Sequence, residues 1–256
     1  MDINSIIMKI QNVSLDLGGN HILANVNAEI PDIKGKGQIV SIVGRSGIGK
    51  TQLFRILSGF QKPTTGTITI TKDDIPVKIG QVGVIAQKCP LFEDRTVESN
   101  LLIAASKVIT NKKEALEKVT EMLHIFEMAD RKKLYPIQLS GGQQQRISIA
   151  QQLLCSEHFI LMDEPFAALD AITIDDVREL ITKTATLHEL NTFIVVTHDI
   201  RSALRIGDIL WVMNRDTPDQ GAYIKYVHTL IDLGFTYDSS DSKFTEYSHL
   251  IKEQLR

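Results

Sequence analysis

The chain has 256 residues, of which 43% are hydrophobic, so it can bury a full core as one large or two small domains. Its 28 basic and 31 acidic residues give a formal net charge of −3, which does not favour sequence-independent binding of nucleic acid. Cys89 and Cys155 are far apart and belong to no CxxC motif or Cys/His cluster that would suggest structural zinc. The N-terminus lacks the apolar run of a signal peptide, and no apolar stretch reaches the ~18 residues of a spanning helix, so we expect a cytoplasmic chain that does not itself cross a membrane.

The first part of the chain has the patterns of β-structure. Residues 7–30 alternate apolar and polar side chains on both sides of a turn at residues 17–20, which predicts two antiparallel strands. Residues 39–43 form an apolar run that predicts a buried strand, and a short helix is expected over residues 52–57. Further strands are predicted at residues 67–71 and 82–86.

Between the buried strand and the short helix lies the sequence GRSGIGKT, residues 44–51. Gly44, Gly47 and Gly49 would let backbone N–H groups turn inward around a phosphate, because they have no side chain in the way. Lys50 would add a positive charge for the outer phosphates, and the Thr51 hydroxyl suits Mg²⁺. The alternative is a glycine turn before an ordinary helix. The strand before it and the helix after it favour a P-loop.

A helical region follows the β-rich part. Residues 88–139 show helical periodicity and no long apolar strand, which predicts a helical subdomain inserted into an α/β core. Ser140 is then a predicted N-cap, followed by Gly141, Gly142, Gln143 and a helix over residues 144–154. An open helix N-terminus favours anions, so this could be an ordinary capped helix or a second phosphate site for a nucleotide held by another copy.

Three apolar runs, residues 159–162, 193–196 and 209–213, predict the other strands of a doubly wound parallel sheet. Polar residues follow two of them: Asp163 and Glu164 after the first, and Thr197, His198 and Asp199 after the second. The carboxyl ends of parallel strands meet at one edge, so these residues should lie beside the P-loop. There Asp163 would suit a Mg²⁺ shell and Glu164 would polarise an attacking water.

In this order, the motifs resemble those of the ATP-binding cassette (ABC) ATPases. The matching segments are a Walker A motif at 44–51, a Q-loop glutamine at Gln87, the signature LSGGQ at 139–143, a Walker B motif at 159–164, a D-loop at 167–170 and a switch histidine at His198. The resemblance implies an α/β fold: a P-loop NTPase (RecA-like) core with an N-terminal antiparallel β subdomain and an inserted helical subdomain. Its expected divisions are 1–87, 88–149, 150–235 and a helical tail at 236–256.

The resemblance also implies roles for single residues. Glu164 would be the general base, His198 a γ-phosphate sensor, and Gln87 a contact to water and metal. The cofactors would be ATP and Mg²⁺, with the metal held by Thr51, Gln87 and Asp163. Two copies would close head to tail over ATP, with Asp170 at their interface. The nucleotide would contact Gly44, Arg45, Ser46, Gly47, Ile48, Gly49, Lys50, Thr51 and Gln52 of one copy and Ser140, Gly141, Gly142 and Gln143 of the other.

The implied partners are a second copy of the chain, integral membrane permease subunits and a substrate-binding protein, with no nucleic acid. The chain would act at the cytoplasmic face of the cell membrane as a peripheral subunit. The segments DEPFAALDA and VTHDI are similar to importer cassettes of the nitrate, sulfonate and taurine type. An exporter or lipoprotein-release cassette, or a soluble ABC-type ATPase that remodels another partner, remain alternatives.

Two positions depart from the family pattern. Leu17 stands where an aromatic side chain usually stacks on adenine, although His21 lies close by in sequence. Gln52 follows Thr51 where a second hydroxyl is usual. We therefore expect weakened adenine binding and poor discrimination between ATP and GTP.

Overall fold

The computed structural model describes residues 3–70, 75–86, 91–156, 158–167, 171–233 and 242–256. The strands are β1 (Ile3–Leu17), β2 (Asn20–Ile33), β3 (Gln38–Gly44), β4 (Thr65–Ile70), β5 (Ile75–Pro76), β6 (Gly83–Ile85), β7 (Phe159–Asp163), β8 (Thr192–Thr197), β9 (Ile209–Asn214) and β10 (Tyr223–Thr229). The helices are α1 (Lys50–Leu57), α2 (Val97–Ala105), α3 (Lys112–Ile125), α4 (Gly141–Cys155), α5 (Ala171–Ala185), α6 (Ile200–Ile206) and α7 (Ser242–Gln254).

The N-terminal strands form an antiparallel sheet in the order β2-β1-β4-β5. Alternation of side chains along β1 and β2 buries one face, because Ile10, Val13, Val26 and Ile30 are each at most 2% exposed. The predicted antiparallel pair is therefore confirmed. Both strands extend beyond residues 7–30, and the turn between them lies at Gly18 and Gly19, which both have positive φ.

A six-stranded sheet in the order β10-β9-β3-β8-β7-β6 forms the centre of the fold. All neighbours in it are parallel except β10, which pairs antiparallel with β9. Successive residues of the buried strands point to opposite faces. Phe193 and Val195 pack in a core with helices α2 to α5, whereas Ile194 and Val196 pack in a second core with α1 and the antiparallel sheet. This layering explains why these strands have no polar alternation.

The region predicted to be helical contains α2 and α3. Thr96 begins α2 because its hydroxyl accepts from the backbone N–H of Ser99, and the Asn111 side chain accepts from the N–H of Lys113 at the start of α3. The apolar residues Ala115, Val119, Met122 and Leu123 of α3 are buried. The buried side chain of Asn100, within α2, donates to the carbonyls of residues 92, 95 and 96 and thereby fixes the loop that precedes the helix.

The last helix, α7, packs against the core through its apolar residues. Phe244 and Ile251 are buried in a third apolar cluster together with Val43 of β3 and Leu204 of α6. The α/β fold class with an antiparallel sheet and an inserted helical region is confirmed, whereas the exact division at residues 87, 149 and 235 stays a prediction. None of the helices in the described ranges is long and apolar enough to span a bilayer.

Candidate nucleotide-binding site

The sheet brings the three predicted polar loops to one edge. In the parallel register, Val43 of β3 lies opposite Thr197 of β8, and Asp163 of β7 lies opposite Val196 of β8. The P-loop, the Asp163–Glu164 pair and His198 therefore leave three adjacent strands at nearly the same level. The sequence-based expectation that they converge is confirmed.

Glycine is required at several points of the P-loop for reasons visible in the structure. Gly47 and Gly49 have φ values of 76° and 110°, which side-chain-bearing residues rarely adopt. A Cβ on Gly44 would lie 2.9 Å from Cγ2 of Ile48 and 3.3 Å from the carbonyl oxygen of Met213. Gly49 is the N-cap of α1 and supplies no side-chain cap, so the N-terminus of α1 is free to receive an anion.

Lys50 lies under this loop with only 9% of its surface exposed. Its Nζ donates to the carbonyl oxygens of Gly44 at 2.8 Å and Arg45 at 3.1 Å. Burial lowers the pKa of Lys50, while the charges of Glu164 and Asp163 act in the opposite direction. The ammonium is thus placed between the loop and the two carboxylates, where an incoming phosphate would compete for it.

Asp163 ends strand β7 with a half-buried side chain. Burial raises the pKa of its carboxyl group, the neighbouring Glu164 raises it further, and Lys50 lowers it. The charged form of Asp163 is therefore disfavoured in the free protein. The Asp163 carboxylate and the Thr51 hydroxyl at the start of α1 are hard oxygen ligands of the kind that Mg²⁺ prefers. The next residue, Gln52, has a buried Oε1 atom without a hydrogen-bond partner among the residues described. These residues fit a magnesium nucleotide.

Glu164 is held by the loop after β8. Its Oε2 atom accepts from the Thr197 hydroxyl at 3.0 Å and from the His198 backbone N–H at 3.2 Å, and it lies 2.9 Å from Nδ1 of His198. The backbone of Glu164 has φ of 49°, in the left-handed region that a non-glycine residue seldom occupies. The arrangement fixes one carboxylate oxygen and leaves Oε1 free of these contacts.

The signature segment is built as a capping box. The Ser140 hydroxyl accepts from the Gln143 N–H at 3.3 Å, and the Gln143 side chain accepts from the Ser140 N–H at 3.0 Å. Ser140, Gly142 and Gln143 line a cavity of about 280 Å³. A different cavity of about 400 Å³ contains Arg45, Ser46 and Ile48 of the P-loop. The two cavities have no lining residue in common among those described.

The predicted site is only partly covered by the structure. Gln87 and Asp170 lie outside the residues that the structure describes. At the turn between β1 and β2, Leu17 is 40% exposed. The His21 ring already has a hydrogen-bond partner, because its Nδ1 atom lies 2.5 Å from Oδ1 of Asp16. The contact of Thr197 with Glu164 was not predicted, although its place between an apolar strand and His198 was a usable signal.

Comparison with known proteins agrees with this geometry. The family model described as "ABC transporter" matches residues 24–167. A sulfate/thiosulfate import ATP-binding protein CysA from Bacillus cereus is 37% identical over 238 residues, covering 90% of this chain and 65% of the relative. Another CysA protein, from Gloeobacter violaceus, is 32% identical over 260 residues, covering 96% of this chain and 74% of the relative. The chain thus spans slightly less than two thirds of the length of the first relative and about three quarters of the second.

Two solved structures show the same architecture. The ATP-binding cassette MJ0796, in a dimeric post-hydrolysis state bound to ADP and Pi, matches with a TM-score of 0.69 and 30% identity over 88% of this chain and 99% of that one. The protein cbiO1 from Clostridium perfringens, part of the ABC transporter complex cbiONQ, matches with a TM-score of 0.79 over 99% of this chain and 96% of that one; at 23% identity it supports the fold alone. With its motifs, its fold and these relatives, the chain belongs to the ABC transporter family.

Proposed function

We propose that the chain is the ATP-binding and ATP-hydrolysing subunit of an ABC transporter, and that it drives substrate movement through a separate membrane-spanning partner. The observation that carries this proposal is the position of Glu164. Its carboxylate is fixed by Thr197 and His198 at the edge where the Lys50 loop also ends. A module that only binds nucleotide needs the loop and the lysine, but it has no use for a carboxylate held in this way.

The nucleotide in this proposal is ATP with Mg²⁺. Residues 44–52 would surround the phosphates with backbone N–H groups and the Lys50 ammonium, while Thr51, Asp163 and Gln87 would hold the metal ion. When bound, the ion would neutralise charge that develops on the phosphate oxygens. Lys50 would move from its present carbonyl partners towards the outer phosphates, because a charged acceptor forms the stronger bond.

Hydrolysis needs a water molecule in line with the terminal phosphate and a group that accepts its proton. Glu164 suits this task because Oε1 is free of the three contacts that hold Oε2. His198 is 66% exposed at the same edge and would contact the terminal phosphate. The remaining contribution is positioning and charge stabilisation, as in other phosphoryl transfers.

A second copy of the chain would complete the site. Ser140, Gly141, Gly142 and Gln143 lie at the start of helix α4, and all but Gly141 line a different cavity from the P-loop residues Arg45, Ser46 and Ile48. The proposal places them on the nucleotide of the partner copy. Asp170 would lie at the interface between the two copies. The dimeric MJ0796 cassette with bound ADP and Pi supports this arrangement.

For the transported substrate, we propose a small anion taken up by an importer. The segments DEPFAALDA and VTHDI resemble importer cassettes for nitrate, sulfonate and taurine, and the curated relatives are sulfate/thiosulfate import proteins. Permease subunits and a substrate-binding protein would be the partners, and the chain would lie at the cytoplasmic face of the membrane. The proposed divisions remain 1–87, 88–149, 150–235 and 236–256.

Steady-state phosphate release tests the enzymatic part. We expect Glu164→Gln to lower kcat by at least 100-fold while ATP still binds, because the amide cannot accept the proton. Glu29→Gln is a matched control, since Glu29 is an exposed acid on β2 away from the site. In light scattering, Glu164→Gln with saturating ATP should have twice the mass of the free chain. Full turnover by this variant would remove Glu164 from its role, and a monomer with ATP would contradict the dimer.

The transport part is tested by affinity purification of the tagged chain from detergent-solubilised native membranes, with mass spectrometry of the proteins retained. A multi-spanning partner together with a substrate-binding protein is the expected result. Recovery of soluble proteins alone, such as ribosomal or DNA-repair factors, would overturn the transporter and leave the ATPase.

A further inference from the structure

Arg178 is a buried arginine on α5 that contacts the segments next to Glu164 and His198 and belongs to none of the sequence motifs. It is 6% exposed. Its Nε and Nη2 atoms donate to the Ser202 hydroxyl at 3.1 and 2.6 Å, and Nη1 donates to the Asp175 carboxylate. Since the Asp175 side chain is 60% exposed, the buried guanidinium depends strongly on the first turn of α6 for its partners.

That first turn is continuous with the groups that hold Glu164. The Ser202 hydroxyl donates to Asp199 Oδ2, and Oδ2 lies 3.6 Å from Arg178 Nη2. Asp199 is the N-cap of α6, and its own N–H donates to the Thr197 hydroxyl at 3.1 Å. The same hydroxyl donates to Glu164 Oε2 at 3.0 Å. Hydrogen bonds on both sides of Asp199, together with the covalent structure of Asp199 itself, therefore join Arg178 to the proposed base.

Arg178 also contacts the segment that follows Glu164. Its Cζ atom lies 5.8 Å from the ring centroid of Phe166, which is itself 5% exposed. Between Glu164 and Phe166 the chain turns, and the N–H of Ala167 donates to the Glu164 carbonyl at 3.0 Å. Because Glu164 has a left-handed backbone conformation, the surrounding structure must hold it there. Arg178 lies against the Phe166 ring in the segment after Glu164 and bonds to Ser202 in the segment that supplies the side-chain contacts of Glu164.

We propose that Arg178 is a positioning residue for hydrolysis: it ties the loop after β7 to the first turn of α6 and so fixes the Glu164 carboxylate against the His198 ring. The inference rests on the proposed ATPase function. None of the contacts of Arg178 described above involves the P-loop or α1, so its role concerns the chemical step rather than ATP binding. A purely structural role would lower stability and leave the kinetics of the folded fraction unchanged.

Steady-state kinetics on Arg178→Lys and Arg178→Met separates these roles. We expect kcat per folded, ATP-binding molecule to fall at least 30-fold with KM for ATP within threefold of wild type, because a small displacement of a catalytic group is costly. Lysine keeps the charge but cannot reach Ser202 and Asp175 with one planar fork, so it should not restore the rate. Ser202→Ala, which removes a single hydroxyl, should lower kcat in the same sense.

Arg205 offers a matched control. It is also mostly buried, with its side chain 13% exposed; it lies 3.7 Å from Asp175 and packs over the Phe244 ring. Among the described residues, Arg205 makes no hydrogen bond or ion pair to Ser202 and no ring contact with Phe166, so Arg205→Met should lose stability but keep kcat within threefold. If Arg178→Lys and Ser202→Ala keep the wild-type kcat, if KM alone rises, or if Arg205→Met loses as much rate, the proposal is overturned.

A second readout does not need activity. Long-range ¹H–¹⁵N spectra of the free protein report the hydrogen bonding of the His198 ring, whose signal is assigned by its loss in His198→Ala. We expect the Nδ1 signal to shift in Arg178→Lys and Ser202→Ala and to stay in place in Arg205→Met. Unchanged spectra in all three would overturn the inference. A wild-type protein without ATPase activity would instead refute the proposed function, and the spectra would still decide the role of Arg178.

Discussion

Asp163→Asn should stabilise the free protein although it removes a proposed metal ligand. Burial and the neighbouring Glu164 both raise the pKa of Asp163, and Lys50 offsets them only in part. The carboxylate is therefore less stable in the folded chain than in the unfolded chain at neutral pH. Asparagine has nearly the same shape without the charge. Removing an unfavourable charge from a functional site typically yields about 1–2 kcal/mol, which in a chain of this size raises Tm by about 3–6 °C.

The pH dependence of this gain follows from the direction of the shift. Because the folded-state pKa lies above the ordinary value of 3.8, the folded chain binds more protons than the unfolded chain between those two values. Stability conferred by the protonated form is therefore lost as pH rises through the folded-state pKa. The Tm advantage of Asp163→Asn should be full at pH 7.5 and should shrink as pH falls towards 4.

Differential scanning calorimetry of both proteins across this pH range tests the reasoning, and Glu164→Gln is the matched control. Glu164 carries the same charge at the next position, but it accepts from Thr197 and His198, so its replacement should bring no comparable gain. A second scan with ATP and Mg²⁺ should stabilise wild type more than Asp163→Asn. A lower Tm for Asp163→Asn at pH 7.5, or an advantage that does not change with pH, would refute the electrostatic account.

Three further outcomes are expected. Leu17→Tyr should place a ring where adenine stacking is usual and tighten ATP by about 1 kcal/mol, or about fivefold in Kd, in a calorimetric titration; equal affinities would contradict this. Gly44→Ala should weaken ATP binding about tenfold in the same titration, because its Cβ would lie 2.9 Å from Ile48; unchanged binding would mean that the loop shifts freely. Phe244→Ala should cost about 3–5 kcal/mol in urea unfolding, since Phe244 is 2% exposed; an unchanged midpoint would show that α7 does not contribute to the core.

The sequence was most informative where burial leaves a local pattern. An apolar run such as residues 193–196 predicted a strand that is buried on both faces. The polar residue after each run predicted where the strand ends. Because parallel strands end at the same edge of a sheet, the sequence alone was enough to predict that Lys50, Glu164 and His198 lie close together. The same local reasoning placed Ser140 at the start of α4, where the structure has a capping box.

Contacts between elements that are distant in sequence could not be read in this way. Arg178 occupies a helix whose pattern is amphipathic, and a charged residue there is ordinarily on the solvated side. Its partner Ser202 is 24 positions away on another helix, so no spacing rule connects them. The left-handed backbone of Glu164 could not be predicted either, because an acidic residue in a sequence does not indicate a positive φ as a glycine can.

The charges at the sheet edge explain why a magnesium nucleotide, rather than a bare polyphosphate, suits this site. Asp163 and Glu164 bring two carboxylates close to the Lys50 ammonium, so these three groups together carry one excess negative charge before any phosphate arrives. A triphosphate would add several negative charges to the same place. Open N–H groups at the start of α1 compensate only part of them. A divalent cation between the phosphates and Asp163 would offset the repulsion between the phosphate charges and the carboxylates. The Asp163 carboxylate, which is unfavourable in the free protein, would then become a favourable metal ligand in the nucleotide-bound protein.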